Sequence, residues 1–255
     1  MIEKLTTCLF CDIANGGLDN LGRRPPILYE EKDFICTADV GAIGEGHVLI
    51  SSKRHVNSMA ELTQDEHIGF WGAQKIMEAG LKAIYGKNCV RFEHGSGLGG
   101  GEGAASTVKH AHFHMVPIDR FDDEIHLRIL DELKMREVDD QYYLNLSRYI
   151  RDNPYVYYVD GDGRHYVSGQ TVFEEYFGDQ KKPVENQYMR QRIADQFKRP
   201  YNWREPANLE VFKQNAFALE RKWQEATENI EDSAGSKYLR LLKHFRKLQG
   251  NEKTC

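Results

Sequence analysis

The stretch Lys109-His110-Ala111-His112-Phe113-His114-Met115-Val116-Pro117 decides fold and chemistry together. Side chains alternate across a β-strand. An extended reading therefore sets His110, His112 and His114 in one row and turns Ala111, Phe113 and Met115 to the opposite, apolar side. One face belongs to a core and the other to chemistry. A lone strand histidine is ordinarily a satisfied structural residue, but three at period two are harder to explain that way, because burying three unpartnered imidazoles costs stability. Such a row suits metal ligation through His-x-His, or nucleophilic attack on phosphorus with neighbouring imidazoles orienting and neutralising.

Far upstream, Cys8-Leu-Phe-Cys11 offers two thiolates at a zinc-like spacing, and a tetrahedral site needs two more ligands. His55, closing Gly46-His-Val-Leu-Ile-Ser-Ser-Lys-Arg-His55, and His110 are the candidates. A redox role for the pair is weaker, since no strand precedes it and no βαβ context follows. Five cysteines, an odd number, fit a reducing compartment. With no apolar run of signal-peptide or membrane-spanning length, the sequence reads as cytoplasmic.

Between these motifs the chain reads as strands around one helix. Tyr29–Ala38 and Gly46–Ser51 are β-rich runs broken by a glycine-bearing turn. Thr63 and Glu66 have the spacing of a capping box, Ile68, Trp71, Ile76, Leu81 and Ile84 recur near helical spacing as the buried face, and Gly86 is the stop. Cys89–Glu93 and Lys109–Ile118 are further strands, joined by a glycine-rich loop over 95–103 that lacks the Gly-Lys-Ser/Thr ending of a P-loop and is a candidate lid. The expected organisation is a catalytic α+β domain over 1–120, with an antiparallel sheet and a helix. A mainly helical extension follows over 121–255, with a β-hairpin near 155–167. Its helices are expected over 123–138, 186–197, 209–229 and 236–249, and Leu130, Leu133, Phe212, Phe217 and Trp223 are candidates for burial. Asp160-Gly-Asp-Gly163 lacks the closing ligands of a calcium loop and reads as the hairpin turn.

The chain has 255 residues and a formal net charge of −5, which argues against broad coating of nucleic acid, a process driven by phosphate neutralisation. A small anionic ligand needs only local positive charge, for which Lys53, Arg54 and Lys109 are candidates. Arg190 and Arg204 read more readily as helix-surface charges than as contacts to a distal phosphate.

The ordered set Cys8-Leu-Phe-Cys11-Asp-Ile, Gly46-His-Val-Leu-Ile with Lys53-Arg54-His55, and Thr107-Val-Lys-His-Ala-His-Phe-His-Met-Val-Pro117 resembles the histidine triad family over about residues 5–120. The resemblance implies an antiparallel α+β fold, a homodimer, and a nucleotide phosphate hydrolase or transferase acting on a purine nucleotide joined to a second group, such as a dinucleoside polyphosphate. By position, His112 is the implied nucleophile, His114 assists the phosphate and leaving group, and His47 supports the row. Asp39 falls at the ribose contact, and Ser106 and Thr107 at the phosphate contact. Cys8, Cys11, His55 and His110 match a structural zinc site. Competing readings are a nucleotidyltransferase or phosphorylase with an acceptor other than water, a nucleotide-binding regulatory protein, and a hydrolase with catalytic zinc on the triad.

Overall fold

A computed structural model describes residues 8–17, 25–39, 41–96, 109–139, 154–169, 187–199 and 205–228. Eight strands form one antiparallel sheet: β1 (Ile27–Glu30), β2 (Phe34–Ala38), β3 (Val48–Ser52), β4 (Val90–Gly95), β5 (His112–Val116), β6 (Arg136–Val138), β7 (Tyr155–Val159) and β8 (His165–Gly169). Their order is β1-β2-β3-β5-β4-β7-β8-β6. With helices on both faces, the molecule is α+β, as the sequence indicates. Expected strand Tyr29–Ala38 is two strands, because Glu31 to Asp33 turn between them.

The helices are α1 (Leu9–Ala14), α2 (Gln64–Tyr85), α3 (Asp123–Glu132), α4 (Tyr188–Phe197) and α5 (Pro206–Glu228). α2 starts where the capping box indicates: Glu66 N donates to Thr63 Oγ1 at 3.3 Å, and Thr63 N donates to the Glu66 carboxylate at 2.8 Å. It ends at Gly86, whose φ of 67° is cheap for glycine. The buried face agrees with the expected one only in part. Phe70, Ala73, Met77 and Leu81 face the sheet, whereas Ile68 and Trp71 are 66% and 52% exposed. Of the residues expected at helical spacing, Ile76 and Leu81 are buried and Ile84 packs against the core, while Ile68 and Trp71 fall outside the stripe that packs.

Alternation in β5 turns Phe113 and Met115 into the core under α2, together with Tyr155, Tyr157 and Val159 of β7 and Trp223 of α5. The opposite face carries Val90, Phe92, Val116, Val156 and Tyr158 against α3 and α4. The expected helix over 123–138 stops at Glu132, and Arg136–Val138 instead pairs with β8. The chain reverses through Lys134 at φ 47°. Within the extension, Leu133, Phe212 and Trp223 are buried and Leu130 half-buried as expected, but Phe217 is 45% exposed. The expected helix over 236–249 lies outside the described residues.

Strand pairing and helix packing are among the contacts that tie the extension to the rest. β7 pairs with the edge of β4 along five residue pairs from Arg91↔Val159 to Gly95↔Tyr155. α5 lies on α2 so closely that a Cβ on Gly80 would sit 2.3 Å from the Trp223 ring. At the hairpin tip, Asp160 Oδ1 accepts from the backbone N–H groups of Asp162 and Arg164, a turn-capping role in keeping with the sequence reading. No helix among the described residues is long and apolar enough to cross a membrane.

Candidate functional site

β5 delivers its histidines to the face shared with α4, and carbonyl oxygens fix their protons. A carbonyl can only accept, so each ring nitrogen bonded to one must carry the hydrogen. His112 Nδ1 donates to the His110 carbonyl at 2.7 Å, which leaves the Nε2 lone pair free. His110 Nε2 donates to the Ser52 carbonyl at 2.6 Å, which leaves Nδ1 free. His110, in the bend just before β5, and His112, its first residue, thus present opposite nitrogens. His112 is the partly exposed member of the row and stacks on Phe10 of α1, with ring centroids 5.0 Å apart.

The free nitrogen of His110 points into the cysteine pair. Cys8 Sγ and Cys11 Sγ lie 3.3 and 3.6 Å from it, His55 Nδ1 lies 3.3 Å from it, and Cys11 Sγ lies 3.3 Å from His55 Nδ1. All four donor atoms fall within 4.8 Å of one another. Zinc bonds of about 2.3 Å to sulfur and about 2.0 Å to nitrogen, at tetrahedral angles, put S···N at about 3.6 Å and N···N at about 3.3 Å. The donor set fits the ion in chemistry and in spacing. Burial, with Cys8 beside it, pushes the Cys11 thiol up to about 11, so a thiolate pair at neutral pH calls for a cation between the sulfurs. Burial also brings His110 down to about 4, in the neutral form a metal needs.

At the other end of the row, His114 Nδ1 and His47 Nε2 share a hydrogen bond of 2.9 Å. His114 is 4% exposed and stacks on Phe92 with centroids 4.4 Å apart. His47 Nδ1 lies 3.3 Å from Asp39 Oδ2, near enough for charge attraction yet without a hydrogen bond of its own. Burial holds His114 well below the usual histidine range and His47 at about 4; His112 is lowered as well, mainly by burial and against the bond to His110. The row is therefore neutral at physiological pH.

Asp39 is itself committed. Its Oδ1 accepts from Gly41 N at 2.8 Å, and its Oδ2 accepts from Arg190 Nη1 of α4 at 2.6 Å. Arg190 also donates to the Gly41 carbonyl. Of the cations considered from sequence, Lys53 and Arg54 are engaged elsewhere, by Glu30 at 2.8 Å and Glu66 at 2.7 Å. Arg190 is the guanidinium that reaches the histidines, contrary to its reading as a surface charge. The signal was available: Arg190, Ile193 and Ala194 share the buried stripe of α4. His94 was missed too. It lies one pleat step along β4 from Phe92 and accepts from Met189 N at 3.4 Å. Ser106, Thr107, Arg204 and loop residues 97–103 fall outside the described residues.

Residues 24–121 match the HIT domain. An uncharacterized HIT-like protein of Methanocaldococcus jannaschii is 29% identical over 120 residues, 46% of this chain and 84% of that protein. A bis(5'-adenosyl)-triphosphatase of Dictyostelium discoideum is 27% identical over 112 residues, 44% and 72% of the two chains. An adenosine 5'-monophosphoramidase of Danio rerio is 32% identical over 110 residues, 43% and 64% of the two chains. The matched segment holds Asp39, His47, His55 and the whole histidine row, and residues 24–121 of this chain are a HIT domain.

Proposed function

We propose that the chain cleaves a nucleotidyl-phosphate or related bond through a covalent adduct on His112, with water or another acceptor resolving it. The observation that carries this is the bond from His112 Nδ1 to the His110 carbonyl, which leaves Nε2 unprotonated on the partly exposed imidazole. Neutral imidazole is a competent nucleophile, and phosphoryl transfer asks the protein chiefly for positioning and charge stabilisation. Relatives named as a triphosphatase and a phosphoramidase of adenosine compounds support a nucleotide substrate.

His112 Nε2 attacks the α-phosphorus, and the bond from phosphorus to the leaving group breaks with its electron pair going to that group. The neutral His47–His114 pair offers a ring N–H as a hydrogen bond to the departing group, which leaves with its electron pair and takes any proton it needs from water. The acceptor then attacks phosphorus, the P–N bond returns its electrons to His112, and the acceptor's proton passes to solvent. Asp39 enters this account as the anchor of His47, since both its oxygens are engaged inside the protein, and not as the sugar contact that the resemblance implies. Ser106 and Thr107 remain the proposed phosphate contacts.

Cys8, Cys11, His55 and His110 are assigned to a structural zinc, which when bound supplies folding energy by tying α1 to the start of β5. Incubation with diadenosine polyphosphates, adenosine phosphoramidate and sugar nucleotides, read by mass spectrometry, tests the reading. Cleavage at the α-phosphorus of at least one compound is expected, and silence across the panel would remove it.

A further inference from the structure

α4 of the C-terminal extension brings Arg190 to the histidine face from 151 positions beyond Asp39. We propose that Arg190 is a positioning residue: by gripping the Asp39 carboxylate and the Gly41 carbonyl with one guanidinium, it holds Asp39 beside His47 and, through His47, keeps His114 in register, so that the extension completes the site. The inference rests on the His112 reading and adds to it a residue that never touches the nucleotide.

The geometry is that of a clamp. Nη1 meets Asp39 Oδ2 at 2.6 Å and Nη2 meets the Gly41 carbonyl, so two points of the segment between β2 and β3 are fixed by one planar fork. The carboxylate so held lies 3.3 Å from His47 Nδ1, and His47 hands the constraint to His114 through the 2.9 Å bond. A neighbouring residue of α4 acts on the same face, because Met189 N donates to His94. Arg190 and Asp39 are each 6% exposed, and Arg190 Nε is buried without a hydrogen-bond partner. A buried pair with a donor left over is a poor source of stability, since well-packed apolar groups often replace such pairs without loss. What the pair does provide is geometry. Lysine would keep the charge but lose the fork.

The natural control is Arg192, two residues along the same helix, which pairs instead with Asp195 at 3.2 Å and Glu132 at 3.6 Å. In the full chain, Arg190→Ala is expected to lower kcat about 10- to 100-fold, the range seen when partners that orient active-site ligands are removed. KM should stay within about threefold, because no substrate contact is lost. Millimolar guanidinium should restore part of the rate to Arg190→Ala and none to wild type, and Arg192→Ala should match wild type. Unchanged kcat, or an effect confined to KM, would overturn the proposal. If Arg190→Ala does not fold, Arg190→Lys gives the same comparison.

A ligand-free arm separates this inference from the reading beneath it. Histidine-ring NMR of wild type should show a slowly exchanging proton shared by His47 and His114, broadened or lost in Arg190→Ala. Wild type without turnover on any compound would sink the catalytic reading alone. The same shared proton in both proteins would sink the role of Arg190.

Discussion

The cysteine-lined end of the histidine row and its carboxylate-lined end are carried by one short segment of backbone, yet they are prepared for opposite tasks by the carbonyl each ring meets. Ser52 takes the Nε2 proton of His110 and frees Nδ1 for a metal; the His110 carbonyl takes the Nδ1 proton of His112 and frees Nε2 for attack. The first end has sulfur for neighbours and opens to the surface at His55. The second continues past His112 to His114, which is buried against Phe92 with His47, Asp39 and Arg190 behind it. Spacing along a strand gathers imidazoles, and the hydrogen bond behind each ring decides what it does.

If the two ends are truly separate, damage to one should not imitate damage to the other. His112→Ala should reduce turnover by several orders of magnitude, since the nucleophile is gone, while zinc content and melting temperature stay near wild type. Steady-state kinetics beside metal analysis reads both. A variant that retains activity would merge His112 with the supporting residues and break the contrast.

Cys11→Ser, or chelation of the metal, should have the reverse signature. Stability should fall by several kcal/mol, because the energy of a structural zinc is folding energy. Turnover measured well below the melting point should stay within about tenfold of wild type. Loss of activity with unchanged melting would point instead to a catalytic metal.

A third contrast sets the neutral histidines against Glu93, which β4 turns to the opposite face. There its carboxyl accepts from Met59 N and the Tyr155 hydroxyl, both at 2.7 Å. Burial is the main cause of its rise from 4.5 to about 7. A folded-state value above the unfolded one stabilises fully below the unfolded pKa and loses that contribution as pH rises through the folded one. Wild type should therefore lose stability relative to Glu93→Gln between pH 4.5 and about 7, by up to about 3 kcal/mol. Denaturant melts of both proteins at pH 5 and pH 8 measure the gap, and a constant gap would contradict the assignment. The smallest effect belongs to Thr63→Ala, which removes one side of the α2 capping box and should cost about 1 kcal/mol with turnover unchanged. A rate effect there would mean that α2 communicates with the row.

Much of this was legible before the fold was known. Alternation placed Phe113 and Met115 in the core, and the Cys8, Cys11, His55, His110 set came from ligand arithmetic together with the resemblance. The capping box was local enough to read directly. The parts that escaped depend on contacts distant in sequence. The stripe of α2 is set by which sheet it meets, so spacing alone does not tell exposed Ile68 and Trp71 from buried Phe70 and Met77. β6 is a strand because β8 offers an edge, and nothing within Arg136–Val138 announces it. Arg190 looks like a surface charge until Asp39 is opposite it.

The central claim is that His112 carries the nucleotide between two displacements, and a chemical quench tests it most directly. Enzyme mixed with substrate labelled at the α-phosphorus, stopped in base and mapped by peptide, should retain label on the peptide containing His112. That label should be acid-labile, as a phosphoramidate on imidazole is, and absent from His112→Ala. Turnover by wild type with no label on that peptide would contradict the account.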